Sequence, residues 1–358
     1  MDITSDVKVS KLKLKGLLQD APKSAEIISL VYVSDKDPGI TRVKRGKGFA
    51  YLKNESTIRN KKDLERIRRL VIPPAWQNVW ICSLENGHLQ ATGYDSKTRK
   101  QYLYHRLWSE FRNQTKFFNL LEFGKKLPSM REQLEKGLAR PGLPLEKILA
   151  AIVTIMQHTN IRVGNNEYEK LYGSFGLTTL KNKHVAINGS HVKFSFKGKK
   201  GIYHEVDMKS RKLANIIRQC KDMPGKELFQ YYDDNGEKRS IDSGMVNDYI
   251  KQMTGGDFTT KDFRTWTGTA NAISVLKELG YCETETESKK KIAEALDIVA
   301  KRLGNTRMVC KKYYVHPKVL ELYCSKELEK YCEKASHSNG NKLSEEECIL
   351  LKILEAAA

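Results

Sequence analysis

The stretch Lys183-His-Val-Ala-Ile-Asn-Gly-Ser-His-Val-Lys-Phe-Ser-Phe-Lys-Gly-Lys-Lys-Gly-Ile-Tyr-His-Glu-Val-Asp207 decides how the chain is read. Apolar and polar residues alternate along it, which is the period of a half-buried strand. Asn188-Gly189 supplies the residue pair of a tight hairpin turn. A second turn, Lys197-Gly-Lys-Lys-Gly201, carries three lysines. This β island interrupts helical sequence. Before it, Leu145 to Gln157 sets Ile148, Ile152, Ile155 and Met156 at helix spacing. After it, the pattern predicts helices at 209–222, 243–253, 266–279, 287–303 and 343–354, with Asp242 or Ser243 and Thr286 or Ser288 as caps.

Upstream the character changes. From Ile27 to about Gln101, short apolar runs alternate with turn signals, as in Leu30-Val-Tyr-Val33, Val79-Trp-Ile-Cys82 and His88-Leu-Gln-Ala-Thr92. These read as strands of an antiparallel sheet. One amphipathic helix, about Lys61 to Leu70, interrupts them and stops at Pro73-Pro74. The expected fold class is therefore α+β: a small antiparallel-sheet N-terminal domain, then a mostly α-helical domain with an inserted β-hairpin. The expected divisions are 1–25 as a basic flexible arm, 26–112 as the β-rich domain, 113–336 as the helical domain, and 337–358 as a linker and C-terminal helix. A hinge is expected near 108–116.

The chain has 358 residues, enough for two domains. No run approaches the roughly 20 apolar residues of a spanning helix, and Met1-Asp2-Ile3-Thr4 does not begin a secretory signal. The seven cysteines contain no C-x-x-C pair. Zinc motifs and a disulfide framework lose support, and a reducing interior fits. Lys+Arg is 63 against 43 for Asp+Glu, a net charge of +20. That balance favours a polyanion, nucleic acid first. The excess is uneven: Thr41 to Leu70 holds 11 Lys/Arg against 3 Asp/Glu. Its start, Thr41-Arg-Val-Lys-Arg-Gly-Lys-Gly-Phe-Ala-Tyr51, is Gly-rich and aromatic, which suits DNA phosphates better than a membrane surface. Arg42, Lys44, Arg45 and Lys47 are the candidate contacts.

No Walker loop, H-E-x-x-H, EF-hand loop or G-x-S-x-G is present. Four positions in the helical half stand out instead. They are Arg162 in Asn160-Ile-Arg-Val-Gly164, Lys199 in the lysine turn, Arg264 in Lys261-Asp-Phe-Arg-Thr-Trp266, and Tyr314 in Cys310-Lys-Lys-Tyr-Tyr-Val-His-Pro317. Singly each has an ordinary reading: a surface ion pair, a solvated turn lysine, a core aromatic.

In order they resemble the type IB DNA topoisomerases, in the small poxvirus and bacterial branch. Arg162, then Phe196-Lys-Gly-Lys199, Lys261-x-x-Arg264, Leu303-Gly-Asn-Thr306 and Tyr314 follow the family's sequence of motifs. Val33-Ser-Asp-Lys-Asp-Pro-Gly-Ile-Thr-Arg42, Ile72-Pro-Pro-Ala-Trp76, Gly87-His-Leu-Gln-Ala-Thr-Gly93 and Lys100-Gln-Tyr-Leu-Tyr104 extend it through the N-terminal half. The resemblance covers about residues 28 to 325. It implies the catalytic fold shared by this family and the tyrosine recombinases, and a two-domain monomer closing as a C-shaped clamp on duplex DNA.

It also implies the chemistry. Tyr314 is the nucleophile, holding a 3′ phosphate as phosphotyrosine while a 5′ hydroxyl leaves. Lys199 is the general acid and Lys261 a second proton donor. Arg162 and Arg264 hold the non-bridging oxygens. Asn305 stands where poxvirus enzymes have histidine, and an amide can donate a hydrogen bond but not become a cation. Tyr102, Tyr104 and Tyr168 resemble DNA-contacting tyrosines, and Tyr313 is the rival to Tyr314. No metal, other cofactor or nucleotide is implied. If the source is bacterial, the location is cytoplasmic, with the nucleoid. A tyrosine recombinase and a non-catalytic DNA-binding protein are the alternatives. Recombinases usually carry H-x-x-R where this chain has Lys261-x-x-Arg264.

Overall fold

The computed structural model describes residues 20–46, 48–96, 98–233, 235–333 and 342–357, with only the backbone at 113–116 and 118. Lys47, most of the expected arm and most of the expected linker lie outside the described residues. The chain divides into two units, Met1–Lys116 and Phe117–Ala358. The hinge expected near 108–116 falls within one helix, Arg106–Ala139.

In the first unit six strands form one antiparallel sheet: β1 (Gly39–Arg45), β2 (Gly48–Lys53), β3 (Ser56–Thr57), β4 (Gln77–Cys82), β5 (Leu89–Tyr94) and β6 (Lys100–Tyr104). Their order is β3-β2-β1-β4-β5-β6. The helix Lys61–Arg69, capped by Asn60, packs Ile67 on Ile40, Val79, Ile81 and Ala91. Burying each of the larger of these side chains contributes about 1.5–3 kcal/mol.

Two expectations change here. Leu30 to Val33 forms a single bridge, Val31 to Gly87, and not a strand. The Val33 N–H donates to His88 Nδ1 at 3.1 Å, so a side chain takes the bond that would extend the ladder. The end of the expected arm is ordered as a helix, Ala21–Ile27. Asp20 caps it through Lys23 N–H, and Ala25 is buried in one cluster with Leu30 and Trp108.

In the second unit the β island has three strands: β7 (Val185–Asn188), β8 (His191–Lys197) and β9 (Tyr203–Lys209). Val192, Phe194 and Phe196 alternate inward from β8. Gly189, at φ +57°, closes the first turn. The helices around the island are Leu145–Thr159, Arg211–Asp222, Ser243–Thr254, Thr260–Leu279, Glu285–Leu303, Arg307–Tyr313 and Pro317–Cys324. The helix expected from 266 starts at Thr260. A capping box between Thr259 and Asp262 nucleates it six residues earlier, and this puts Lys261 and Arg264 in its first turns. Asp242 caps Ser243–Thr254 as one of the two readings had it, but Thr284 caps Glu285–Leu303 in place of Thr286 or Ser288. The pair β10 (Gln230–Tyr232) and β11 (Lys238–Ser240) was not expected.

The C-terminal helix Glu345–Ala357 is locked through a buried carboxylate. Glu347 accepts two bonds from Arg131, both 2.8 Å, and one from Trp266 Nε1 at 2.9 Å. Among the described residues, no helix is long and apolar enough to cross a membrane.

Candidate active site

Five segments of the second unit converge. The helix Leu145–Thr159 ends at Asn160 in the left-handed region, φ 56°, which asparagine tolerates. The chain then runs extended through Arg162. Its carbonyl accepts Leu177 N–H at 2.8 Å, and Val163 O accepts Thr178 N–H at 2.6 Å, so the backbone under Arg162 is pinned. A Cβ on Gly176 would lie 2.6 Å from Arg162 O, which is why the facing position has none.

The helix Glu285–Leu303 ends in a Schellman cap. Asn305 N–H donates to Ala300 O at 2.9 Å and Gly304 N–H to Lys301 O at 3.1 Å, with Gly304 at φ +59°. This cap delivers the Asn305 side chain to Arg162, whose Nη2 donates to Asn305 Oδ1 at 2.9 Å and to Gly304 O at 3.3 Å.

Arg264 braces the same two loops from the helix Thr260–Leu279. Nη1 donates to Asn160 O at 2.5 Å and Nη2 to Leu303 O at 2.7 Å. Both acceptors lie two residues before a site residue. The guanidinium is buried, and its Nε has no hydrogen-bond partner among the described residues. Such a donor is costly unless something accepts from it.

Tyr314 sits just past the helix Arg307–Tyr313, its N–H on Cys310 O at 2.9 Å. Thr269 Oγ1 donates to Tyr314 O at 3.1 Å, and Gly268 lets the backbones close, since a Cβ there would meet that oxygen at 2.7 Å. Arg264 lies one helical turn before Gly268, on the same face. Its Cζ is 5.3 Å from the centroid of the Tyr314 ring.

Lys199 opens the turn between β8 and β9, with Lys200 at φ 64°. The residue as a whole is exposed, yet its ammonium is desolvated. That desolvation and the Arg162 charge pull its pKa below the usual lysine value. Burial, then Arg264, takes Arg162 down to about 10, still cationic at neutral pH. Tyr314 acts in the raising direction on both Arg162 and Lys199, so all four groups share one field.

The other candidates are placed differently. Lys261 is exposed; its backbone N–H meets the Thr259 cap at 3.4 Å and its carbonyl accepts from Thr265 Oγ1 at 3.2 Å, while its ammonium has no hydrogen-bond partner among the described residues. Arg42 has its guanidinium on the carbonyls of Ile72, Pro73 and Trp76 at 3.3, 3.0 and 2.7 Å. It closes a loop of the first unit, while Lys44 and Arg45 are exposed. Tyr102 and Tyr104 are exposed and stack at 6.1 Å on one face of β6. Tyr168, exposed, lies on the short helix Asn166–Tyr172. Tyr313 is exposed with Lys312 Nζ 5.4 Å from its ring centroid.

Sequence reasoning missed His204, Gly268 and the buried Cys310, whose thiol burial pushes up to about 11 while both arginines pull the other way. What ties them to the site is distant in sequence, Gly304 for His204, Tyr314 for Gly268 and the two arginines for Cys310, so no local pattern marks them.

Comparison with known proteins gives the family. The family model "Eukaryotic DNA topoisomerase I, catalytic core" matches residues 97–339, and "Bacterial DNA topoisomerase IB, N-terminal domain" matches residues 48–95. The DNA topoisomerase 1B of Acanthamoeba polyphaga mimivirus is 33% identical over 294 residues, 80% of this chain and 87% of the viral one. Those named DNA topoisomerase 1B in vaccinia virus and DNA topoisomerase I in monkeypox virus are each 26% identical over 235 residues, 64% of this chain and 71% of theirs. With its α+β architecture and its cluster of two guanidinium groups, an amine and a phenol, the chain belongs to the type IB DNA topoisomerases of the small viral and bacterial branch.

Proposed function

We propose that this topoisomerase relaxes supercoiled duplex DNA with Tyr314 as its nucleophile and Lys199 as its general acid. The observation that carries the assignment is the gathering of Tyr314, Arg162, Arg264 and Lys199 within one unit. The Tyr314 oxygen attacks a backbone phosphorus, the P–O5′ bond breaks, and the 3′ phosphate stays on the enzyme. A phenol of pKa about 10 is ionised in only about one molecule in a thousand at pH 7, which sets a cost of about 4 kcal/mol unless its proton leaves during attack. The departing alkoxide is the harder problem, with a conjugate acid near that of water at about 15.7. Lys199 gives it a proton, and its lowered pKa makes it a stronger acid than free lysine.

Charge grows on the non-bridging oxygens as the phosphorus becomes five-coordinate. Arg162 and Arg264, already braced on carbonyls, meet it without reorganisation. The buried Nε–H of Arg264 is the donor that most needs an acceptor. Asn305 holds Arg162 in place. Lys261 joins proton delivery only if its exposed side chain turns inward. The reverse attack by the 5′ hydroxyl reseals the strand, so the chain needs neither nucleotide nor metal. Every group comes from one chain, so it acts as a monomer.

Lys44, Arg45, Tyr102, Tyr104 and Tyr168 meet the DNA backbone. A charge of +20 makes binding fall steeply with salt. The deciding experiment incubates the protein with labelled duplex and identifies the modified residue. Phosphotyrosine at 314, with plasmid relaxation in EDTA without ATP, is expected. Binding without an adduct, or an adduct at another residue, overturns the assignment.

A further inference from the structure

His204 occupies a place that the reaction scheme above does not use. It lies on β9 directly across from Phe196 on β8, and the two rings stack at 5.3 Å, 16° from parallel. The ring is then wedged between two glycines. A Cβ on Gly198 would lie 2.5 Å from His204 Cδ2, and one on Gly304 would lie 2.6 Å from its Cε1. Gly198 is the residue before Lys199, and Gly304 the residue before Asn305. One imidazole therefore touches the bases of both turns that carry site residues. The same Gly304 Cβ would be 3.7 Å from Arg162 Nη1.

We propose that His204 is a positioning residue for the general acid: its ring sets the Lys199 turn against the Gly304–Asn305 turn. At its base the turn is tied to the segment after the helix Asn166–Tyr172, with Lys197 O accepting Phe175 N–H at 2.8 Å. Its tip is held by internal bonds, Gly198 N–H donating to Ile202 O at 2.7 Å and Gly201 N–H to Gly198 O at 3.0 Å. None of these bonds reaches the Gly304–Asn305 cap, so the spacing between the Lys199 tip and that cap is left to the wedge. The ring acts by shape, since neither of its nitrogens has a hydrogen-bond partner among the described residues. A neutral ring also suits the place. Burial and the charges of Arg162 and Arg264 hold His204 below the usual histidine pKa, so it adds no third cation beside two arginines.

The proposal rests on Lys199 being the acid, and one experiment separates the two. A duplex with sulfur in place of the 5′ bridging oxygen at the cleavage position releases a thiolate, whose conjugate acid has a pKa of about 8.5 and needs no proton donor. The P–S bond breaks as the Tyr314 O–P bond forms. Single-turnover cleavage of oxygen and sulfur substrates is measured at saturating protein for wild type, Lys199→Ala, His204→Ala and His204→Phe.

Expected is a loss of about 100-fold or more for Lys199→Ala and about 10- to 100-fold for His204→Ala on oxygen, both largely restored on sulfur. His204→Phe, which keeps a ring in the wedge, should recover most of the oxygen rate. If Lys199→Ala stays slow on sulfur, the acid assignment falls and the proposal with it. If Lys199→Ala is restored but His204→Ala is not, the acid assignment stands and the proposal alone fails. A His204→Ala protein as fast as wild type on oxygen also overturns it. So does a His204→Phe protein as slow as the alanine variant, because the nitrogens would then matter and not the shape.

Discussion

Arg162 Nη2 and Asn305 Oδ1 are 2.9 Å apart, so the amide oxygen faces the arginine and the amide NH₂ faces away, 3.4 Å from Leu303 O. In this arrangement Asn305 orients an arginine and leaves its positive charge unneutralised. Asn305→Asp places a carboxylate on Arg162, and covalent adduct formation should fall by about 100-fold. Asn305→His introduces a group whose protonation two arginines oppose, so its pKa should lie below about 6.5. Single-turnover cleavage followed from pH 5 to 8 should then show an acidic inflection that the wild type lacks. An unchanged profile counts against this account of Asn305.

Gly304 carries two constraints, a left-handed backbone at φ +59° and a neighbour at 2.6 Å. Gly304→Ala should cost about 1–2 kcal/mol from the backbone alone and should also push on His204. Gly189→Ala has the matching backbone, φ +57°, with open space around it. Thermal melts should show a similar shift from the backbone in both variants. Cleavage assays should show lost activity only in Gly304→Ala.

Tyr314→Phe should abolish the covalent adduct and relaxation while DNA binding persists. Tyr313→Phe should keep both, because that ring is exposed beside Lys312. Trapping on labelled duplex distinguishes the two, and an adduct surviving in Tyr314→Phe would show that another residue attacks.

Lys199 must be protonated to act as an acid, and its pKa is lowered by desolvation and by Arg162. Cleavage should therefore fall as pH rises through a value below the ordinary lysine 10.5. Resealing, which uses the neutral amine as base, should rise over the same interval. Pre-steady-state cleavage and religation from pH 7 to 10 check both signs.

His316 follows Tyr314 by two residues and caps the helix Pro317–Cys324 through Nδ1, which accepts Lys318 N–H at 3.1 Å. Burial takes its pKa from 6.5 down to about 4. Because the folded value lies below the unfolded one, the unfolded chain binds the extra proton between them. The contribution is full above about pH 6.5 and is lost as pH falls towards 4, up to about 3 kcal/mol. Melting temperature should drop across that window. His316→Asn, which keeps a capping oxygen, should flatten the drop.

The sequence reveals most of what is periodic. The island around Asn188-Gly189, Ser243–Thr254 and the sheet of the first unit all follow from alternation, helix spacing and turn residues. Where a side chain replaces a backbone bond, periodicity fails: His88 takes the Val33 N–H, and Asp262 starts a helix early. The site divides in the same way. Ordered motifs nominate Arg162, Lys199, Arg264 and Tyr314, yet they also nominate Arg42, which the structure commits to three carbonyls. The hairpin alone does not mark His204 as a link between turns, because the second glycine it meets, at 304, lies 100 residues further on.

The acceptors that steady the two arginines are mainly peptide oxygens, those of Asn160, Leu303 and Gly304. No point substitution can delete a peptide oxygen. The surrounding interior can thus drift in identity while the scaffold for the reaction endures, in keeping with relatives that are 33% identical to this chain over 294 residues and 26% over 235. Mutational fragility should accordingly gather at the few places where backbones approach without room for a methyl group, and leave the apolar filling comparatively forgiving.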